Sequence, residues 1–282
     1  MILELDSEST FFRELRRFCA ETKLRGLSPR IVGGVAMSAW RLTHGGGVHL
    51  TKDFDLALTD RDVGTPTLCR RTAQLLFEVR RALAFERIPD WQEKRNGRTS
   101  YQKQVQSDPD APAQSIGLDL LCTPVSYGRG SRRLPVYHLL EDKDPDKAFS
   151  ASSTPFLEWV DEWCVVDARI DGASFQFEIP SLRGMGILKL KAVADKVARL
   201  QDESDADRIT HEEERFQRNA NDLVWLTTKM RLLGELSDLR VSILEHPEIG
   251  RAARRLLTSY AGLESGLSVT VDGVEAAIRE YQ

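Results

Sequence analysis

Along residues 9–23, Phe11, Phe12, Leu15 and Phe18 recur near helical spacing with charges between them, which predicts an amphipathic opening helix. The apolar pair Ile31-Val32 reads as the end of a strand, Gly33-Gly34 as a turn, and residues 36–42 as a short helix. Thr43-His44-Gly45-Gly46-Gly47 is too glycine-rich for regular structure and is expected to form a loop. If residues 53–58 form a strand, its side chains alternate between faces, so Phe54 and Leu56 enter the core and Asp53 and Asp55 project together from the other face. Residues 65–84 carry Leu68, Leu75, Leu76, Val79 and Leu83 on one stripe, with Arg70, Arg80 and Arg81 turned away, predicting a long helix across the sheet.

Strands are expected again over 99–105 and 115–121, the second of buried type with one carboxylate, Asp119, inside it. Residues 126–153 read as loop, and 165–179 as a hairpin turning on Asp171-Gly172. From Ser181 onward the pattern is helical, with helices near 181–203, 211–232, 235–245, 248–262 and 272–281, and there is no internal repeat. The expected organisation is therefore α+β: a sheet domain of mixed strand direction with flanking helices over residues 1–180, and a helical bundle over 181–282.

A chain of 282 residues with 41% hydrophobic content can bury a sizeable core. Its net charge of −4 excludes a uniformly basic, nucleic-acid-coating surface, so any nucleic-acid substrate needs a local basic patch. The four cysteines, Cys19, Cys69, Cys122 and Cys164, are widely separated, which disfavours a zinc site or a secreted disulfide framework. The acidic start Met-Ile-Leu-Glu-Leu-Asp does not resemble a signal peptide, and no segment approaches the length of a membrane span; a cytoplasmic protein is expected.

Asp53 and Asp55, about 6 to 7 Å apart on one strand face, suit Mg²⁺, a hard ion that takes oxygen ligands. An aspartate within an apolar strand is costly unless a cation compensates it, which adds Asp119 to the set. Three such carboxylates on adjacent strands can hold two Mg²⁺ ions, while backbone N–H groups after Gly33-Gly34, at a helix start, attract phosphate. Together they point to nucleotidyl transfer. Gly-x-Ser-x-Gly, His-Glu-x-x-His and Gly-x-x-x-x-Gly-Lys-Ser/Thr are all absent, so α/β-hydrolase, zinc protease and P-loop chemistries have no support.

Gly33-Gly34-Val35-Ala36, Thr51-Lys52-Asp53-Phe54-Asp55, Asp119, Lys189-Leu190-Lys191-Ala192 and Asn221-Asp222-Leu223 follow one another as in the polymerase-beta-like nucleotidyltransferase superfamily. Within it, the chain resembles the AbiEii-type toxins of bacterial toxin–antitoxin and phage-defence systems. The resemblance implies an N-terminal nucleotidyltransferase domain, an NTP as nucleotide donor, and catalysis by Asp53, Asp55, Asp119 and Lys189. It further implies nucleotide contacts from Gly33, Gly34, Thr51, Lys52, Lys189 and Asp222, with Lys191 or Lys196 as alternatives to Lys189. The implied acceptor is the 3′ end of tRNA, and the implied partner a cognate antitoxin protein. Arg129, Arg132 and Arg133 are candidates for contacts to the tRNA phosphates, with Arg251, Arg254 and Arg255 a second patch.

The pattern departs from the family at three points. His49 stands where the family has Arg, the frequent Gly-Ser is Gly-Gly, and a charged stretch over 202–214 lengthens the separation between Lys189 and Asp222. Transfer to a small molecule such as an aminoglycoside, or to a protein, is the alternative within the same chemistry. A non-catalytic nucleotide-binding interaction protein is the alternative outside it.

Overall fold

The computed structural model describes residues 1–6, 9–48, 51–87, 99–106, 112–130, 136–142, 148–202 and 206–235. The chain divides into two compact units, Met1–Pro180 and Ser181–Gln282.

Unit 1 is α+β and built on two sheets. Strands β1 (Ile2–Glu4), β10 (Trp163–Ile170) and β11 (Ala173–Pro180) form the smaller, in the order β1-β10-β11. The β10–β11 turn is Asp171-Gly172, both at positive φ (51° and 74°), as a two-residue type I′ hairpin requires. The larger sheet has the spine β2 (Ile31–Val32), β3 (Asp53–Leu58), β6 (Gln114–Cys122), β9 (Phe149–Ser153), β8 (Val136–Leu140) and β7 (Arg129–Gly130). Strand β5 (Ser100–Val105), itself paired with β4 (Glu86–Arg87), joins the N-terminal half of β6. Strand direction is mixed: β3, β6 and β9 run parallel, whereas β2, β5 and β8 pair antiparallel with their neighbours.

Helices α1 (Thr10–Leu24) and α4 (Pro66–Leu83) follow the expected stripes closely. Ser9 and Thr65 cap them, accepting from the backbone N–H of Phe12 and Leu68, and Ala84 ends α4 in the left-handed conformation. The core lies on one face of the large sheet, where Phe54, Leu118, Leu120 and Tyr101 are buried. Phe11 and Phe18 of α1 meet the Phe54 ring at centroid distances of 4.8 and 5.6 Å. Phe18 and Phe54 are fully buried, and each such ring contributes about 1.5–3 kcal/mol.

Three expectations are corrected. Residues 126–153 are not simply loop, since they supply β7, β8 and β9. Arg80 does not turn away from the stripe of α4: it is buried, with its guanidinium 4.0 Å from the Tyr101 ring centroid, where the aromatic face holds the charge. The short helix α2 (Gly33–Thr43) begins at the glycines rather than after them. A one-turn helix α3 (Asp60–Val63), closed by a Thr59–Asp62 capping box, also went unpredicted.

The described part of unit 2 is a pair of helices, α5 (Leu182–Asp202) and α6 (Ala206–Leu233). Met185, Ile187, Leu190 and Val193 of α5 and Phe216, Leu223, Leu226 and Met230 of α6 are buried. Cross-pairs of falling and rising number, Lys189 with Asp222 and Lys196 with Glu212, show that the helices run antiparallel. The helices expected near 248–262 and 272–281, and most of 235–245, lie outside the described residues. Among the described residues no helix is long and apolar enough to cross a membrane.

Candidate active site

The acids are placed by sheet register. Strands β3 and β6 pair parallel with Asp55 opposite Asp119 and Asp53 opposite Gly117. Register partners share a face, and adjacent strands lie about 4.8 Å apart, so Asp53, Asp55 and Asp119 occupy one face of two neighbouring strands. Phe54 and Leu118 point into the core from the other face, so a shift of register by one residue would bury the carboxylates and expose the rings. Ser100 of β5 stands on the far side of Asp119, completing a row from Asp55 through Asp119 to Ser100.

Two glycines make room for two of these carboxylates. Gly33 sits at φ +64°, and a Cβ there would overlap Asp55 Oδ2 and lie 2.8 Å from its Cγ. Gly117 lies under Asp53 in the same way, its Cβ position 3.1 Å from Asp53 Cγ and closer still to Oδ1. Gly34 faces Thr51, whose Cβ would be 2.6 Å from a Cβ added at that glycine. The Thr51 hydroxyl donates to the Asp53 carbonyl oxygen and accepts from the Asp53 N–H, both at 3.3 Å, which shapes the entry into β3. The Gly-Gly pair and the Thr-x-Asp-x-Asp segment are thus one packed unit: the first glycine admits Asp55 and the second admits Thr51.

Asp55 therefore lies against the N-terminal end of α2. Val32, at the N-cap, makes no side-chain cap hydrogen bond, and the first turn holds no acidic residue. The first backbone N–H groups of an α-helix lack intrahelical partners and favour an anion such as phosphate. Asp53 leans over Gly117 and Asp55 over Gly33, and among the described residues no three acidic, histidine or cysteine side chains stand gathered tightly enough to hold an ion. Drawing the three aspartates around a cation takes rotation about their side-chain torsions, with the backbone register already in place. Their donor set, all carboxylate oxygen, suits Mg²⁺.

Lys52 is exposed and adjoins Asp53, its carbonyl accepting from Gly117 N–H at 2.9 Å. In unit 2, Lys189 Nζ donates to Asp222 Oδ2 at 2.7 Å and to Asn219 Oδ1 at 3.0 Å, and the ion pair is buried. Lys196 is likewise buried and pairs with Glu212 at 2.6 Å, while Lys191 bonds Asp195 on its own helix. Arg129 is in β7, its backbone in register with His138. His49, Arg132, Arg133, Arg251, Arg254 and Arg255 lie outside the described residues.

No family model matches the sequence, and no curated protein matches it either. Among solved structures the chain is similar to an antigenic nucleotidyltransferase-like protein from Paracoccidioides brasiliensis, at 14% identity and a TM-score of 0.37 over 86% of this chain and 92% of that one. Likeness at that level carries no weight for fold or chemistry, so any functional assignment stands on the residues themselves.

Sequence reasoning missed Gly117 and Ser100. Gly117 left a usable signal, a glycine two positions before an aspartate within an apolar strand, where a close approach by another group is the usual cause. Ser100 left none, because its place beside Asp119 exists only once β5 is paired with β6.

Proposed function

We propose that this protein is a magnesium-dependent nucleotidyltransferase that joins a nucleoside monophosphate, taken from an NTP, to an acceptor hydroxyl. The observation that carries the proposal is the β3–β6 register, which sets Asp53, Asp55 and Asp119 on one face beside the glycine-lined start of α2.

Asp53, Asp55 and Asp119 would hold two Mg²⁺ ions, which when bound lower the pKa of the acceptor hydroxyl and offset charge on the departing pyrophosphate. The backbone N–H groups of Gly33 and Gly34 bind the triphosphate oxygens and orient the α-phosphorus for in-line attack. Thr51 packs on Gly34 of α2 and bonds the backbone of Asp53, so that the phosphate-binding turn and the carboxylates keep a fixed spacing.

We extend the proposal to the acceptor and the biological role: the 3′ end of tRNA, modified by a toxin that a cognate antitoxin protein restrains. Supporting this is the resemblance of Gly33-Gly34 and Thr51-Lys52-Asp53-Phe54-Asp55 to AbiEii-type toxins. We also assign Lys189 a phosphate contact on that resemblance, with Asp222 as its orienting partner.

The test is incubation of the purified protein with Mg²⁺, each α-³²P-labelled NTP in turn and total tRNA, with label followed on a denaturing gel. A labelled RNA band is expected, abolished by chelation and reduced at least about a hundredfold in Asp55→Asn, the scale of losing a group that stabilises transition-state charge. Undiminished labelling by a folded Asp55→Asn protein would overturn the proposal.

A further inference from the structure

Unit 1 carries a groove of about 580 Å³ between α1, the C-terminal end of α4 and the tail of β5. Its polar wall is made by Arg13, Arg16, Arg17 and Lys103 around a single carboxylate, Glu14, and its apolar wall by Ala82, Leu83 and Ala84. Four cations against one anion is a sharp local excess in a chain whose net charge is −4.

The cations are held in place. Glu14 is buried and pairs with Lys103, whose side chain is buried with it, and with exposed Arg17, so the pair forms the floor of the groove and Arg17 is held above it. Arg13 donates to Thr10 Oγ1, and Arg16 to the Ile170 carbonyl. Positions 13, 16 and 17 share one face of α1, three and four residues apart.

Register connects this groove to the acids. Lys103 pairs with Ile116 of β6, one position before Gly117, which is opposite Asp53. The Gly117 N–H to Lys52 carbonyl bond continues the β3–β6 ladder, so Lys52 stands in line with Ile116 and Lys103 across three strands. The groove thus opens at the same end of the sheet as Asp53, on the opposite face, and exposed Lys52 adjoins Asp53 at that end. A small acceptor has no use for cations there. A polymer with a charge at every link, passing over the end of the sheet, does.

Building on the nucleotidyltransferase proposal, we infer that the α1–β5 groove binds the phosphodiester backbone of a single-stranded nucleic acid whose 3′ end lies at Asp53, Asp55 and Asp119. The groove reads chiefly backbone charge, since its exposed cations are arginines and its lining holds no aromatic platform for stacking bases.

The experiment is fluorescence anisotropy with a labelled single-stranded 12-mer RNA, without NTP or metal, at 50 to 300 mM KCl. It compares the full chain with Arg13→Gln/Arg16→Gln/Arg17→Gln, and with the lighter Arg13→Gln/Arg16→Gln should the triple variant melt early. The triple variant is expected to bind at least about tenfold more weakly at low salt, with the slope of log K against log[salt] shallower by about 2, since each single-strand phosphate contact contributes about 0.7. An unchanged slope in the folded variant overturns the inference, and so does equal affinity for poly-glutamate, which would assign the groove to an acidic protein segment. Asp55→Asn separates the two proposals: it should bind RNA normally while losing transfer. Groove variants that lose RNA binding in a protein with no transfer activity would leave the groove standing and sink the enzyme, and the converse holds.

Discussion

At the candidate site the tightest space lies over two residues with no side chain, Gly33 and Gly117. Gly33→Ala meets two penalties, a left-handed φ that costs a residue with a Cβ about 1–2 kcal/mol and an overlap with Asp55 Oδ2. Gly117→Ala meets only the second kind, displacing Asp53. Urea melts should therefore show Gly33→Ala destabilised by about 1–2 kcal/mol and Gly117→Ala changed by less. Nucleotidyl transfer, followed by label incorporation, should fall in both by about tenfold or more, because an added Cβ takes the room in which a carboxylate turns toward the cation. Wild-type activity in Gly117→Ala would show that the placement of Asp53 is not needed.

Among the elements, the α5–α6 pair is crossed by two buried ion pairs, of which Lys189–Asp222 is the more deeply buried. Asp222→Ala leaves an uncompensated buried ammonium and is expected to cost about 3–5 kcal/mol, whereas Lys189→Met with Asp222→Leu, which removes both charges, should recover most of that. Chemical melts of the single and double variants measure the difference. Loss of transfer in a double variant of undiminished stability would support a phosphate role for Lys189 beyond the ion pair. Helices were the elements most legible in the sequence: the stripes of α1 and α4 and their caps at Ser9 and Thr65 are local, so the chain announces them unaided. The β10–β11 hairpin was legible for the same reason, through Asp171-Gly172. Strand β1 has three residues and exists only through its pairing with β10, and β9, Phe-Ser-Ala-Ser-Ser, lacks the β-branched residues that mark a strand. Arg80 was misplaced because the Tyr101 ring that receives it comes from a distant strand. At the candidate site, Gly33, Asp53 and Asp55 were visible as a motif; that Asp119 falls opposite Asp55 is a matter of register, which no local pattern encodes.

For the molecule as a whole, three of the four thiols are buried, and burial pushes the Cys122 thiol from 9.0 up to about 12, helped by the nearby Cys69. Cys19 and Cys69 are raised by the same desolvation. The folded state keeps these protons where the unfolded chain releases them, so this contribution is complete below pH 9 and is lost as pH climbs toward 12. The urea midpoint should accordingly hold up to pH 9 and fall between pH 9 and 11, and Cys19→Ala/Cys122→Ala should flatten that fall even if it lowers stability overall. A native protein treated with a thiol reagent at pH 8 should react first at Cys164, the one not fully buried.

The parallel pairing of β1 with β10 joins Ile2–Glu4 to residues 167–169. During synthesis the first strand leaves the ribosome with no partner and must wait for some 160 further residues before one arrives. The small sheet is then among the last parts of unit 1 to close, and a chain interrupted before β10 carries an unmatched strand edge into the cell, open to pairing with another chain.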